Sequence, residues 1–110
     1  VVAETGLFLA QRLVVWRSLL AKGIGLMGRR QMVGDGVWME NCRSIHTCFL
    51  RFSIDVIFIA RDLRLLRIVA ELPPWRLVWA PKGTVHVVEL PAGSIRRAKL
   101  TLDSEIKIIS

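Results

Sequence analysis

The stretch Ser44-Ile45-His46-Thr47-Cys48-Phe49-Leu50-Arg51-Phe52-Ser53-Ile54-Asp55-Val56-Ile57-Phe58-Ile59-Ala60 decides how this chain reads. Its second half, Ile54 to Ala60, sets β-branched and aromatic residues around a single acid, the composition of a strand. Ser44 to Leu50 reads as another strand. Arg61-Asp62 opens a turn after the first of these runs, and Leu65 to Leu72 follows as the next strand, so the two meet as a hairpin.

Working outward, Gly34-Asp35-Gly36 is a turn and Val37-Trp38-Met39 a short strand. Val1 to Glu4 runs into the turn signal Thr5-Gly6, and Leu7 to Trp16 returns. Ser18 caps a short helix ending near Met27, where Gly23, Gly25 and Gly28 work against anything longer. A loop follows through Arg29-Arg30-Gln31. Downstream, Pro73-Pro74-Trp75 breaks the sheet, and Pro81-Lys82-Gly83 is a turn. Val85 to Leu90 alternates His86, Val88 and Leu90 against Val85, Val87 and Glu89. Pro91-Ala92-Gly93-Ser94 opens a helix through Ala98, and Glu105 to Ile109 closes the chain. Many short strands at close spacing predict a mainly β, β-rich α+β fold: a small antiparallel β-sandwich or barrel with one or two short helices.

Apolar residues form 53% of the 110 residues, which suits one core and one domain over 1–110. No apolar run approaches the ~20 residues of a membrane helix. No basic-then-apolar segment opens the chain as a signal peptide would. Cys42 and Cys48 lie roughly 20 Å apart if they share one extended strand, too far for a disulfide without a bend. Free thiols fit a reducing compartment, so a cytoplasmic location is expected. Neither their spacing nor any other predicts a metal site or cofactor. The net charge is +7, which suits anionic partners. The basic residues are nevertheless dispersed from Arg12 to Lys107, with short pairs only at Arg29-Arg30 and Arg96-Arg97.

Three ordered motifs carry a family resemblance: Gly25-Leu26-Met27-Gly28-Arg29; Cys42-Arg43-Ser44-Ile45-His46-Thr47 leading into Phe49 to Phe58; and Glu89-Leu90-Pro91-Ala92-Gly93. Together they resemble the uncharacterised prokaryotic family called domain of unknown function 192, over nearly the whole chain. The resemblance implies a compact β sandwich or barrel and no established reaction, cofactor or partner. Departures from the family pattern are Leu50 for methionine, Ser53 for proline, Asp103-Ser104 for Gly-Asp, and Cys48 where an aromatic is common.

Polar residues embedded in otherwise apolar motif segments mark the candidate site: Arg29, Arg43 and His46 as ligand contacts, with Asp55 and Glu89 as orienters. A buried Asp55 needs backbone donors or an arginine, with Arg29, Arg43 and Arg51 as candidates. If a tight hairpin at Arg51-Phe52 joins Ser44–Leu50 to Ile54–Ala60, Cys48 lies opposite Asp55 with His46 diagonal to it, an arrangement open to nucleophilic catalysis. The leading expectation is a non-catalytic module binding a small polar or anionic ligand. Alternatives are nucleic-acid binding through the Arg surface, where Trp38, Trp75 and Trp79 either pack in the core or stack on bases, and a Cys48/His46 hydrolase or transferase.

Overall fold

Every residue from Ile54 to Ala60 is buried, so the apolar run packs on both faces of a sheet rather than on one. The computed structural model describes residues 2–4, 8–10, 13–16, 36–40, 44–47, 50–104 and 106–109. In chain order their elements are β1 (Val2–Glu4), β2 (Phe8–Ala10), β3 (Leu13–Trp16), β4 (Gly36–Glu40), β5 (Ser44–His46), β6 (Ile54–Ala60), β7 (Leu65–Leu72), β8 (Leu77–Trp79), β9 (Thr84–Pro91), α1 (Ser94–Arg97) and β10 (Lys107–Ile109). The fold is mostly antiparallel β with a single short helix among the described residues.

A five-stranded sheet in the order β3-β4-β9-β6-β7 is the centre. Within it only the β3–β4 pair is parallel. Side chains alternate along a strand, and the core divides accordingly. Ile57 and Ile59 face one cluster with Trp38, Val88, Leu90, Ile95 and Leu100. Ile54, Val56 and Phe58 face the other with Val37, Val87, Ile45 and Val78. The α1 segment thus covers the first face, and the two-stranded β5-β8 sheet covers the second. A third sheet has the order β10-β1-β2.

Asp55 ties this arrangement together. The β6–β7 register runs from Ile54↔Leu72 to Val56↔Val69, which places one extra residue in β7, a bulge. Glu71 sits there with φ 53°. Its N–H leaves the ladder and donates to Asp55 Oδ1 at 2.8 Å. Asp55 Oδ2 accepts the N–H of Ile95, in the first turn of α1, also at 2.8 Å. The helix has no capping side chain on its own N-cap residue, Gly93, whose φ is 94°. Asp55 takes over that duty from a distant strand. The other end of α1 closes by a Schellman pattern, Leu100 N–H to Ile95 O at 3.0 Å and Lys99 N–H to Arg96 O at 3.1 Å, with Lys99 left-handed at φ 52°.

Several expectations are confirmed and others corrected. The β6–β7 hairpin and the β1–β2 hairpin form as predicted. The Leu7–Trp16 return is split, since β2 stays beside β1 while β3 joins the central sheet. The Ser44–Leu50 strand stops at His46 and pairs with β8, not with β6. Thr47 is the reason. It is fully buried, its N–H donates to Arg76 O at 2.8 Å, its Oγ1 donates to Pro73 O and accepts the Arg76 N–H, each at 2.7 Å. These bonds draw the end of β5 to the 73–76 bend. The turn at 101–104, where the family glycine is missing, closes through Ser104, whose N–H donates to Thr101 O at 3.0 Å and whose Oγ accepts the Thr101 N–H at 2.9 Å. The helix expected between Ser18 and Met27 and the Arg29–Gln31 loop lie outside the described residues.

Asp55→Asn keeps the shape but offers one acceptor where two amides, those of Glu71 and Ile95, need one each. It should destabilise the protein by about 2–3 kcal/mol in urea unfolding. The amides of Glu71 and Ile95 should lose hydrogen-exchange protection ahead of the β6–β9 ladder. Thr47→Val strands the Arg76 N–H and should cost about 1–3 kcal/mol, while Thr47→Ser should recover most of it.

Candidate functional site

Glu89 lies in the middle of the central sheet because β9 alternates. Val88 and Leu90 belong to the first core face, while Val87 belongs to the second and Glu89 shares its side. Cross-strand neighbours in register with Glu89 are Val37 on β4 and Val56 on β6, both fully buried. The acid therefore stands in an apolar row, 7% exposed. Burial pushes its pKa up from the ordinary 4.5 to about 7. Among the described residues none donates a hydrogen bond to this carboxyl. It is near its own midpoint at neutral pH, able to donate as an acid or accept as a carboxylate.

Asp55 is one register step away, opposite Leu90 on the same strand pair, and so faces the other side of the sheet. Asp55 and Glu89 do not converge. Asp55 is satisfied by the Glu71 and Ile95 amides, the backbone alternative among the partners expected for it, and needs no arginine. His46 ends β5 opposite Leu77. Its neighbour Ile45 occupies the core. Because β6 pairs with β7 and β9, the hairpin that would set Cys48 opposite Asp55 is not formed. Arg29, Arg43, Cys42 and Cys48 lie outside the described residues.

Three features escape sequence reasoning. Thr47 is a buried hub whose only sequence signal is its place inside the second motif. His86 packs its ring 5.0 Å from that of Trp38, and its Nδ1 has no hydrogen-bond partner among the described residues. Burial lowers the His86 pKa, against the opposing pull of Glu40. A cleft of about 470 Å³ lies at the β6–β7 turn, lined by Asp62, Leu63, Arg64, Leu102, Asp103, Ser104 and Ile106. It contains none of the predicted site residues. Among the described residues no three His, Cys, Asp or Glu side chains group as metal ligands would, and no helix is long and apolar enough to cross a membrane.

Comparison with known proteins gives a family and a fold. The model of the family DUF192, "Uncharacterized ACR", matches residues 3–108. No curated protein matches the chain. A Novosphingobium aromaticivorans protein of unknown function superimposes with a TM-score of 0.77 at 22% identity, covering 88% of this chain and 74% of that one. A Sinorhizobium meliloti protein described as a candidate transcription regulator also superimposes with a TM-score of 0.77 at 22% identity, covering 86% of this chain and 79% of that one. At that identity the likeness concerns the fold alone.

A carboxyl whose pKa is higher in the folded than in the unfolded chain takes up a proton on folding. Stability from Glu89 is therefore greatest below pH 4.5 and is lost as pH rises toward about 7. The full span amounts to roughly 3 kcal/mol. Glu89→Gln should flatten this slope in urea unfolding measured across that range, leaving the variant more stable than the parent above neutrality.

Proposed function

Since the chain belongs to the uncharacterised family DUF192, we propose that it is a non-catalytic module that binds a small polar or anionic ligand at the Glu89 side of the central sheet. The observation that carries this reading is a carboxyl held in an apolar row with no donor from the described residues. Burial disfavours the charged form of such a group, and buried titratable groups with shifted pKa values concentrate at functional sites. A ligand hydroxyl or ammonium would be a suitable partner for it. Arg29 and Arg43 would meet the anionic end, through the planar fork that suits carboxylate and phosphate. His46 ends β5, a strand of the ribbon that covers this face of the sheet, and would contribute from there. Asp55 acts at one remove: it holds the β7 bulge and α1 beside Leu90 and so orients the end of β9 that bears Glu89.

Nucleic-acid binding is the second reading, and the description of the Sinorhizobium meliloti protein agrees with it. The third reading, a Cys48/His46 hydrolase or transferase, rested on a strand pairing that differs from the one observed.

The test is a thermal-shift panel of sugar phosphates, amino acids and nucleotides on the parent, Glu89→Gln and Arg43→Ala. A compound that raises the Tm of the parent by several degrees and of neither variant supports the reading. A compound that raises all three equally binds elsewhere and removes it.

A further inference from the structure

Two turns remote in sequence share the cleft at the β6–β7 end of the sheet. The β6–β7 turn brings Asp62, Leu63 and Arg64 to it, and the 101–104 turn brings Leu102, Asp103 and Ser104, with Ile106 just beyond. Its volume of about 470 Å³ falls in the range of about 300–1,000 Å³ that small-molecule sites occupy.

Both walls are set by hydrogen bonds. Leu63 N–H donates to Ala60 O and Ala60 N–H donates to Arg64 O, each at 2.9 Å. Asp62 Oδ1 accepts the Arg64 N–H at 3.2 Å. These bonds hold Leu63 left-handed at φ 69°, an uncommon conformation for a bulky residue. On the other wall Ser104 bonds Thr101 through both its N–H and its Oγ. Walls already fixed lose little entropy when a ligand enters.

The floor is apolar. Ile106 is buried, Leu63 is half-buried, and both belong to the first core face. At the rim Leu102 leaves 54% of its surface in water, apolar area that the hydrocarbon part of a ligand would cover. The rim also carries exposed charge of both signs, Asp62 and Asp103 against Arg64. Among the described residues the Arg64 guanidinium forms an ion pair with neither carboxylate.

Opposite charges around one apolar floor narrow the class of ligand. A simple anion that met Arg64 would also meet two carboxylates, and a simple cation would also meet the guanidinium. A molecule with an ammonium, a carboxylate and a hydrocarbon part matches all three features. An ammonium has three donors for the carboxylates, and a guanidinium takes a carboxylate through its planar fork. We propose that this cleft binds a free α-amino acid with an apolar side chain. Its ammonium lies on Asp62 and Asp103, its carboxylate on Arg64, and its side chain over Leu63 and Leu102. The floor belongs to the first core face and Glu89 to the second, so the proposal stands independently of the Glu89 site.

The experiment is a titration of the isotope-labelled protein with leucine, followed through the amide resonances. Isoamylamine, which lacks the carboxylate, and isocaproate, which lacks the ammonium, are titrated beside it. Leucine should shift the Leu63, Arg64 and Ser104 amides saturably, and each analogue should bind about tenfold more weakly. Arg64→Ala should weaken leucine about tenfold and bring it level with isoamylamine. Asp103→Asn should weaken leucine and isoamylamine but leave isocaproate no weaker. Glu89→Gln should bind leucine as the parent does. The amide spectrum of each variant checks that it is folded. Four results would overturn the proposal: no saturable shift with leucine, isoamylamine or isocaproate binding as tightly as leucine, equal affinity of the parent and Arg64→Ala, or loss of leucine binding in Glu89→Gln.

Discussion

The Asp55 carboxylate joins parts of the chain that are remote in sequence, accepting one amide from the β7 bulge and another from the first turn of α1. Each oxygen has one donor: the Ile95 amide is a first-turn N–H that a short helix leaves unpaired, and the Glu71 amide is displaced from the ladder by the bulge. A charged acceptor in a hydrogen bond is stronger than a neutral one, and the surrounding apolar residues strengthen it further. The bulge supplies the Glu71 amide only because that residue is left-handed. Backbone strain at one position is thus offset by a charged hydrogen bond at another. The helix is too short to hold itself in water, so its place is set by this bond and by the burial of Ile95, Ala98 and Leu100.

Much of the fold was legible in the sequence where the signal is local. The run from Ile54 to Ala60 could be read as a strand because seven consecutive buried positions leave their mark on composition. The turn at Arg61-Asp62 was legible too, and the structure shows Asp62 accepting the Arg64 N–H within it. The alternation of β9 was legible because His86, Val88 and Leu90 contrast with their neighbours. What escaped was long-range. β5 and β8 have three residues each, too few to carry a pattern, and their pairing is decided by Thr47 bonding across to Arg76. The parallel β3–β4 contact leaves no local trace at all.

The candidate site divides along the same line. An acid in an apolar segment is visible in sequence, and both Asp55 and Glu89 stood out. What each does depends on the face it occupies, and a face is fixed by register. Asp55 meets amides and becomes a structural clamp. Glu89, opposite the residue next to Asp55 on β6, meets valines. Two similar acids one step apart therefore have different chemistry.

The bulge at Glu71 has an effect on the outside of the molecule as well. Among the described residues β7 is an edge strand, and an edge of eight residues offers a row of unpaired amides to any passing chain. A left-handed residue near one end bends that row out of plane, and the exposed Arg67 adds charge along it. Bent and charged edges are poor templates for strand addition. The feature that gives Asp55 its first donor thus also protects the sheet from stacking onto its own kind in a crowded solution.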